Sequence, residues 1–158
     1  MQKITPFLWF DNQAEEAAKF YTSIFKDSKI NSVSRYGDGM PLPKGSVMTV
    51  GFTLAGQEFT ALNGGPQFKF TEAISLVVNC ETQQEIDTFW DKLTSGGGQP
   101  IECGWLKDRY GLFWQVVPTA LGQMMKAGDE TKTNRMMAAL MKMKKLDVAE
   151  LQKTYEGK

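Results

Sequence analysis

One carboxamide stands inside an otherwise apolar stretch: in LFWQVVP, residues 112–118, Gln115 lies between Trp114 and Val116. A buried amide left unpaired costs about 1–3 kcal/mol, so this side chain either hydrogen-bonds to neighbouring backbone or meets a ligand. Cys103, in CGW, is a second group with chemical reach. As a nucleophile it needs a base, and the chain has no histidine to supply one, so the competing reading is inert packing as a small hydrophobe. Asn63, Gly64 and Gly65 either present backbone amides to a ligand oxygen or form an ordinary turn with positive backbone angles. Trp9, Trp105 and Trp114 offer indole faces. Alternation assigns Trp9 and Trp114 to the core and leaves Trp105 as the pocket candidate. Asp108, Arg109 and Gly111 read as turn chemistry, so a general base would have to come from Glu58 or a carboxylate such as Asp108.

The rest of the composition narrows the chemistry. The 158 residues suffice for one compact domain or two small intertwined modules, and we read them as a single folding unit. Eighteen basic side chains balance eighteen acidic ones with no block of like charge, which leaves no electrostatic footprint for nucleic acid or anionic lipid. No apolar run is long enough for a membrane span, and MQKITPFLWF lacks the pattern of a signal peptide. The expected location is the cytoplasm, where two isolated cysteines, Cys80 and Cys103, fit a reducing environment.

The elements that must position these groups follow from periodicity. Residues 4–10 predict a strand. Residues 11–25 predict a helix, capped by Asp11 or Asn12 with Glu15 three positions beyond Asn12. A weaker strand follows near 29–36, then a Gly- and Pro-rich loop over 37–46. Period-two alternation gives strands over 47–54 and 57–62 joined at Ala55-Gly56, with Leu54 facing Gln57, Phe52 facing Phe59, Val50 facing Ala61 and Met48 facing Asn63. The pattern then restarts. Residues 73–79 read as a strand with Ile74 and Leu76 toward a helix, and residues 80–93 read as that helix, with Ile86, Phe89, Trp90 and Leu93 inward. Strands follow around 100–106 and 112–117. Sliding the chain by 69 residues lays Phe89-Trp90 on Phe20-Tyr21 and Val77-Val78 on Leu8-Trp9, an internal repeat. Residues beyond Pro118 form a Met-, Ala- and Lys-rich helical tail with Asp147 as a cap. This gives module one over about 1–66, module two over about 67–118 and the tail over 119–158.

Two βαβββ modules, carried here by LWFDNQAEEAAKFYTSIF and RYGLFWQVVP, resemble the vicinal oxygen chelate superfamily, the glyoxalase and bleomycin-resistance fold. With ALNGGPQFKFTEAISLVVNC, CGWLKDRYG and the tail MMAALMKMKKLDVAELQKTYEG, the chain is similar to the PhnB-like family, whose members often carry the label 3-demethylubiquinone-9 3-methyltransferase. The resemblance implies an α+β fold in which mostly antiparallel sheets curl into a cup. It places Gln115 at a metal-ligand position of metal-using relatives, with Ile4, Ala73 and a residue near Thr60 at the other three. Ile and Ala cannot hold a cation, so the expectation is no metal and no cofactor.

The cup it implies is lined by Thr60, Asn63, Ser75, Cys103, Trp105, Phe113 and Gln115, with Leu8 and Val77 beside them. No residue is assigned as catalytic. The functions implied are binding of an unidentified small molecule, or metal-independent isomerisation or bond cleavage beside a carbonyl or paired oxygens. Thr60, Ser75, Cys103 and Gln115 would then position the substrate. The alternatives are sequestration, as in bleomycin-resistance proteins, and the methyl transfer of the family label. A tail clasping a second subunit would make the protein a homodimer.

Overall fold

The computed structural model describes residues 2–158, which form two compact units, one running to Phe70 and the other Thr71–Lys158. The first contains β1 (Phe7–Phe10), α1 (Ala14–Ile24), β2 (Lys29–Arg35), β3 (Val47–Leu54) and β4 (Gln57–Asn63). The second contains β5 (Leu76–Cys80), α2 (Gln83–Thr94), β6 (Gln99–Pro100), β7 (Trp105–Lys107) and β8 (Phe113–Pro118). Three tail helices follow: α3 (Thr119–Lys126), α4 (Glu130–Leu140) and α5 (Val148–Glu156). Each unit has one four-stranded sheet, in the orders β1-β4-β3-β2 and β5-β8-β7-β6. In both, the first strand lies parallel to the last and the other pairs are antiparallel, so the α+β class and the duplicated βαβββ topology are both present.

In the first unit the β3–β4 hairpin takes the expected register at Leu54/Gln57, Phe52/Phe59 and Val50/Ala61. Ala55 and Gly56 both have positive φ, the geometry of a two-residue turn whose twist matches the strands. Leu8, Phe10, Val50, Phe52, Phe59 and Ala61 are buried on the side covered by α1, whose Tyr21 ring meets Phe52. The helix begins without a side-chain cap from its own flank, contrary to the expectation for Asp11 or Asn12. Asn63 at the end of β4 supplies it instead: its Oδ1 accepts from Ala14 N–H at 2.8 Å, and its Nδ2 donates to the Val47 carbonyl at 3.1 Å.

The first strand is shorter than 4–10 because Pro6 has no N–H to add to a ladder. Ile4 lies outside it, 83% exposed. Likewise β5 starts at Leu76 rather than residue 73, and Ile74 is 60% exposed in the preceding turn instead of lying under a helix. Buried Ala17, Tyr21 and Ile24 of α1 sit 69 residues before buried Ile86, Trp90 and Leu93 of α2. The strand ends Phe10 and Cys80, also both buried, are 70 apart, because three residues join β1 to α1 and only two join β5 to α2. An offset of 69 therefore matches the two helices but leaves β1 and β5 one residue out of phase.

The expected strand around 100–106 is broken into β6 and β7. Cys103 and Gly104, at φ 63° and 84°, take left-handed backbone angles and turn their N–H groups onto the tail, to the Met143 carbonyl at 2.7 Å and the Lys144 carbonyl at 2.8 Å. Gln83 on α2 secures the tail further along. Its Nε2 donates to the Leu146 carbonyl at 3.0 Å, and its Oε1 accepts from Val148 N–H at 2.8 Å. Beside it Lys145 pairs with Asp87 at 2.9 Å. The Gln83 hydrogen bond, followed by Lys145, holds the Asp87 carboxyl below its ordinary range. Met136, Leu140, Leu146 and Leu151 form a buried cluster with Cys103 and Met143 against it. Part of the tail's apolar surface is thus buried within the chain's own second unit, while Met125 and Met141 stay exposed.

Candidate functional site

In the second unit α2 packs across β5, β7 and β8 and buries Trp114, Val116, Leu106 and Cys80. Alternation sends the intervening residues to the opposite, helix-free face. Gln115 lies there, directly beside Val77 of β5 and Trp105 of β7. Gln115 and Trp105 are half-buried and Val77 is 50% exposed. The Gln115 Nε2 donates to the Ser75 hydroxyl at 2.9 Å, so the odd amide of β8 is anchored by a side chain in the turn before β5. Among the described residues neither side chain makes another hydrogen bond, which leaves the carboxamide oxygen as an acceptor and the hydroxyl hydrogen as a donor. Phe113 shares this face but is 3% exposed, so its ring is covered.

The hairpin loop after β7 is held by Asp108, which is 2% exposed. Its Oδ1 accepts from Tyr110 N–H at 2.8 Å and Leu112 N–H at 3.0 Å, and its Oδ2 from the Trp114 indole at 2.8 Å. With both oxygens engaged, this carboxylate shapes the β7–β8 connection and is not poised as a base. Arg109 reaches back to the end of α2, bonding the Ser95 carbonyl and hydroxyl.

Within the second unit the structure brings together Ser75, Gln115 and Trp105, with Phe113 adjacent, and turns Cys103 elsewhere. Cys103 sits at the break between β6 and β7, packed against the tail cluster. Asn63 is in the first unit, on the α1 side of its sheet and 8% exposed, with both amide ends spent on the α1 N-terminus and Val47.

Thr60, also in the first unit, is half-buried on that sheet's helix-free face beside Phe7 and Gly51. Leu8 points the other way, into the core, because it is paired with Ala61. Trp9 takes the face expected for Leu8. Its indole donates to the Gly65 carbonyl at 2.9 Å, lies edge-on to Phe68, and occupies the space where a Cβ at Gly64 would be. The N–H groups of Gly64 and Gly65 are taken by the Phe10 and Asp11 carbonyls, so this turn has no amides left for a ligand.

Sequence reasoning missed a cleft of about 470 Å³ in the first unit, bounded by the start of α1, the 37–46 loop and the turn after β4, with Asp11, Glu15, Glu16, Pro43 and Asn63 in its lining. Its walls come from three segments far apart in the chain, so no local pattern marks it.

A divalent metal of the kind used by relatives of this fold wants three or more N, O or S donors. The donors beside Gln115 are one neutral amide and one hydroxyl already bonded to each other, a set that does not fit such an ion. Among the described residues no group of three or more Cys, Asp or Glu is placed to hold one.

Comparison with known proteins agrees with the topology. The family model described as 3-demethylubiquinone-9 3-methyltransferase matches residues 2–117. The PhnB protein of Bacillus cereus is 44% identical, with TM-score 0.68 over 74% of this chain and 99% of that one. Protein PA1353 of Pseudomonas aeruginosa is 20% identical, with TM-score 0.61 over 75% and 98%. The fosfomycin resistance protein FosX of Listeria monocytogenes, 12% identical with TM-score 0.51 over 75% and 93%, shares the fold. No curated protein matches the chain. No helix among the described residues is long and apolar enough to cross a membrane. The chain belongs to the PhnB-like, 3-demethylubiquinone-9 3-methyltransferase family and has the glyoxalase/bleomycin-resistance fold.

Proposed function

We infer that this chain binds a small molecule on the helix-free face of its second unit, with Gln115, Ser75 and Trp105 as its contacts. The Gln115–Ser75 hydrogen bond carries the reading. It fixes a half-buried carboxamide in one orientation and leaves an acceptor and a donor side by side, next to an indole. Such a pair suits a carbonyl or another oxygen-bearing group. In the catalytic form of the reading it polarises and positions the substrate, and the protein is a metal-independent enzyme.

Sequestration is the second form, favoured by the commitment of Asp108 to the hairpin, which leaves the face without its nearest candidate base. Methyl transfer, as in the family's name, draws no support from the site: the glycine-rich turn of a doubly wound parallel sheet has no counterpart in two small mixed sheets. Pairing of two chains rests on the family resemblance, with Met125 and Met141 as the tail's exposed apolar side chains. Two free cysteines support a reducing, cytoplasmic setting.

The test is a fragment screen on ¹⁵N-labelled protein, followed by product analysis for each hit. Binders are expected to move the Gln115 amide and Trp105 indole signals together. Turnover selects the enzyme, and stoichiometric protection without product selects sequestration. Hits that leave both signals still would end the reading.

A further inference from the structure

The same face carries a cation that the binding reading does not use. Lys107 is two residues beyond Trp105 on β7 and is paired with Phe113, which puts it on the side of the sheet that Gln115 occupies. It is exposed, and among the described residues it has no ion pair. The residues sharing this face along the four strands are Gln99, Trp105, Lys107, Phe113, Gln115, Val117, Val77 and Asn79, with no carboxylate among them. Lys107 is therefore the one charged side chain among these strand residues, next to Trp105 and Phe113. The diagonal between Lys107 and Gln115 spans roughly 7–8 Å in an antiparallel pair, within reach of one aromatic ring bearing a group at each end.

We propose that the ligand is a small organic anion, its negative group held by Lys107, its uncharged carbonyl or amide by the Gln115–Ser75 pair, and its apolar body resting against Trp105. This rests on the binding reading above and adds the charge and spacing of the ligand. An ammonium on a flexible stem takes a carboxylate or phosphonate as a point charge without demanding a fixed geometry.

The probes are 4-carbamoylbenzoate, which carries a carboxylate and an amide across one ring, and its methyl ester, which has the amide without the charge. The readouts are ¹⁵N-NMR titration of wild type, Lys107→Gln and Lys107→Arg, and titration of wild type at low and high NaCl. Expected is at least a tenfold preference of wild type for the acid, with the Gln115 and Trp105 signals moving. Lys107→Gln should lose the preference and Lys107→Arg should keep it, and high salt should weaken the acid and spare the ester. Equal binding of acid and ester to wild type at these signals would overturn the anion inference and leave the binding site standing. Failure of both compounds to move either signal would overturn the site together with the inference.

Discussion

Gln115 and Ser75 are forty positions apart in sequence and 2.9 Å apart in space, because β8 lies parallel to β5 and Ser75 ends the turn that leads into β5. The bond ties the last strand of the unit to the approach to its first. Ser75→Ala should cost about 1 kcal/mol, which for a chain of this length lowers the melting temperature by roughly 2–4 °C. The Gln115 side-chain amide signals should move toward the shifts of a free glutamine.

Asp108 is expected to matter far more for folding. In Asp108→Asn one oxygen becomes an NH₂ facing either the Trp114 indole N–H or the backbone N–H groups of Tyr110 and Leu112, a donor against a donor. A loss of about 2 kcal/mol or more in urea denaturation is predicted, since hydrogen bonds to a buried charge are the strong ones.

The tail's attachment can be tested at Gln83. Gln83→Ala removes both of its bonds to the tail, to Leu146 and Val148, while leaving the sheet intact. Faster hydrogen exchange in α5 and faster alkylation of Cys103 are predicted, with unchanged exchange in β3 and β4. A uniform rise in exchange over the whole chain would mean the tail is not a separable unit.

Burial, reinforced by the charge of Glu85, pushes the Cys80 thiol up from 9.0 to about 11. Cys80 should therefore resist Ellman's reagent at pH 8 in the native protein and react only on unfolding. As pH rises from 9 to 11 the unfolded chain gives up this proton while the folded one keeps it, so stability falls across that window. Urea midpoints of wild type should decline more steeply there than those of Cys80→Ala.

Much of the fold was legible in the sequence because its signals are local. Strict alternation over 47–62 gave the β3–β4 register, and helical spacing gave the buried faces of α1 and α2. What was lost depended on contacts distant in sequence. Asn63 caps a helix that begins forty-nine residues earlier, and Cys103 breaks a strand to meet carbonyls forty residues later. Leu8 and Trp9 were assigned to the wrong faces because alternation alone does not say which side of β1 the helix covers. The Gln115 facing survived, and its partner Ser75 was already on the same side.

Substituting Gln115 by alanine and measuring fragment affinity and melting temperature on the same preparations tests the central claim. If the carboxamide serves a ligand, affinity should fall at least tenfold while the melting temperature moves by no more than about 4 °C, the range of one lost hydrogen bond. A much larger drop in melting temperature with affinity unchanged would show that Gln115 is there to hold the sheet together.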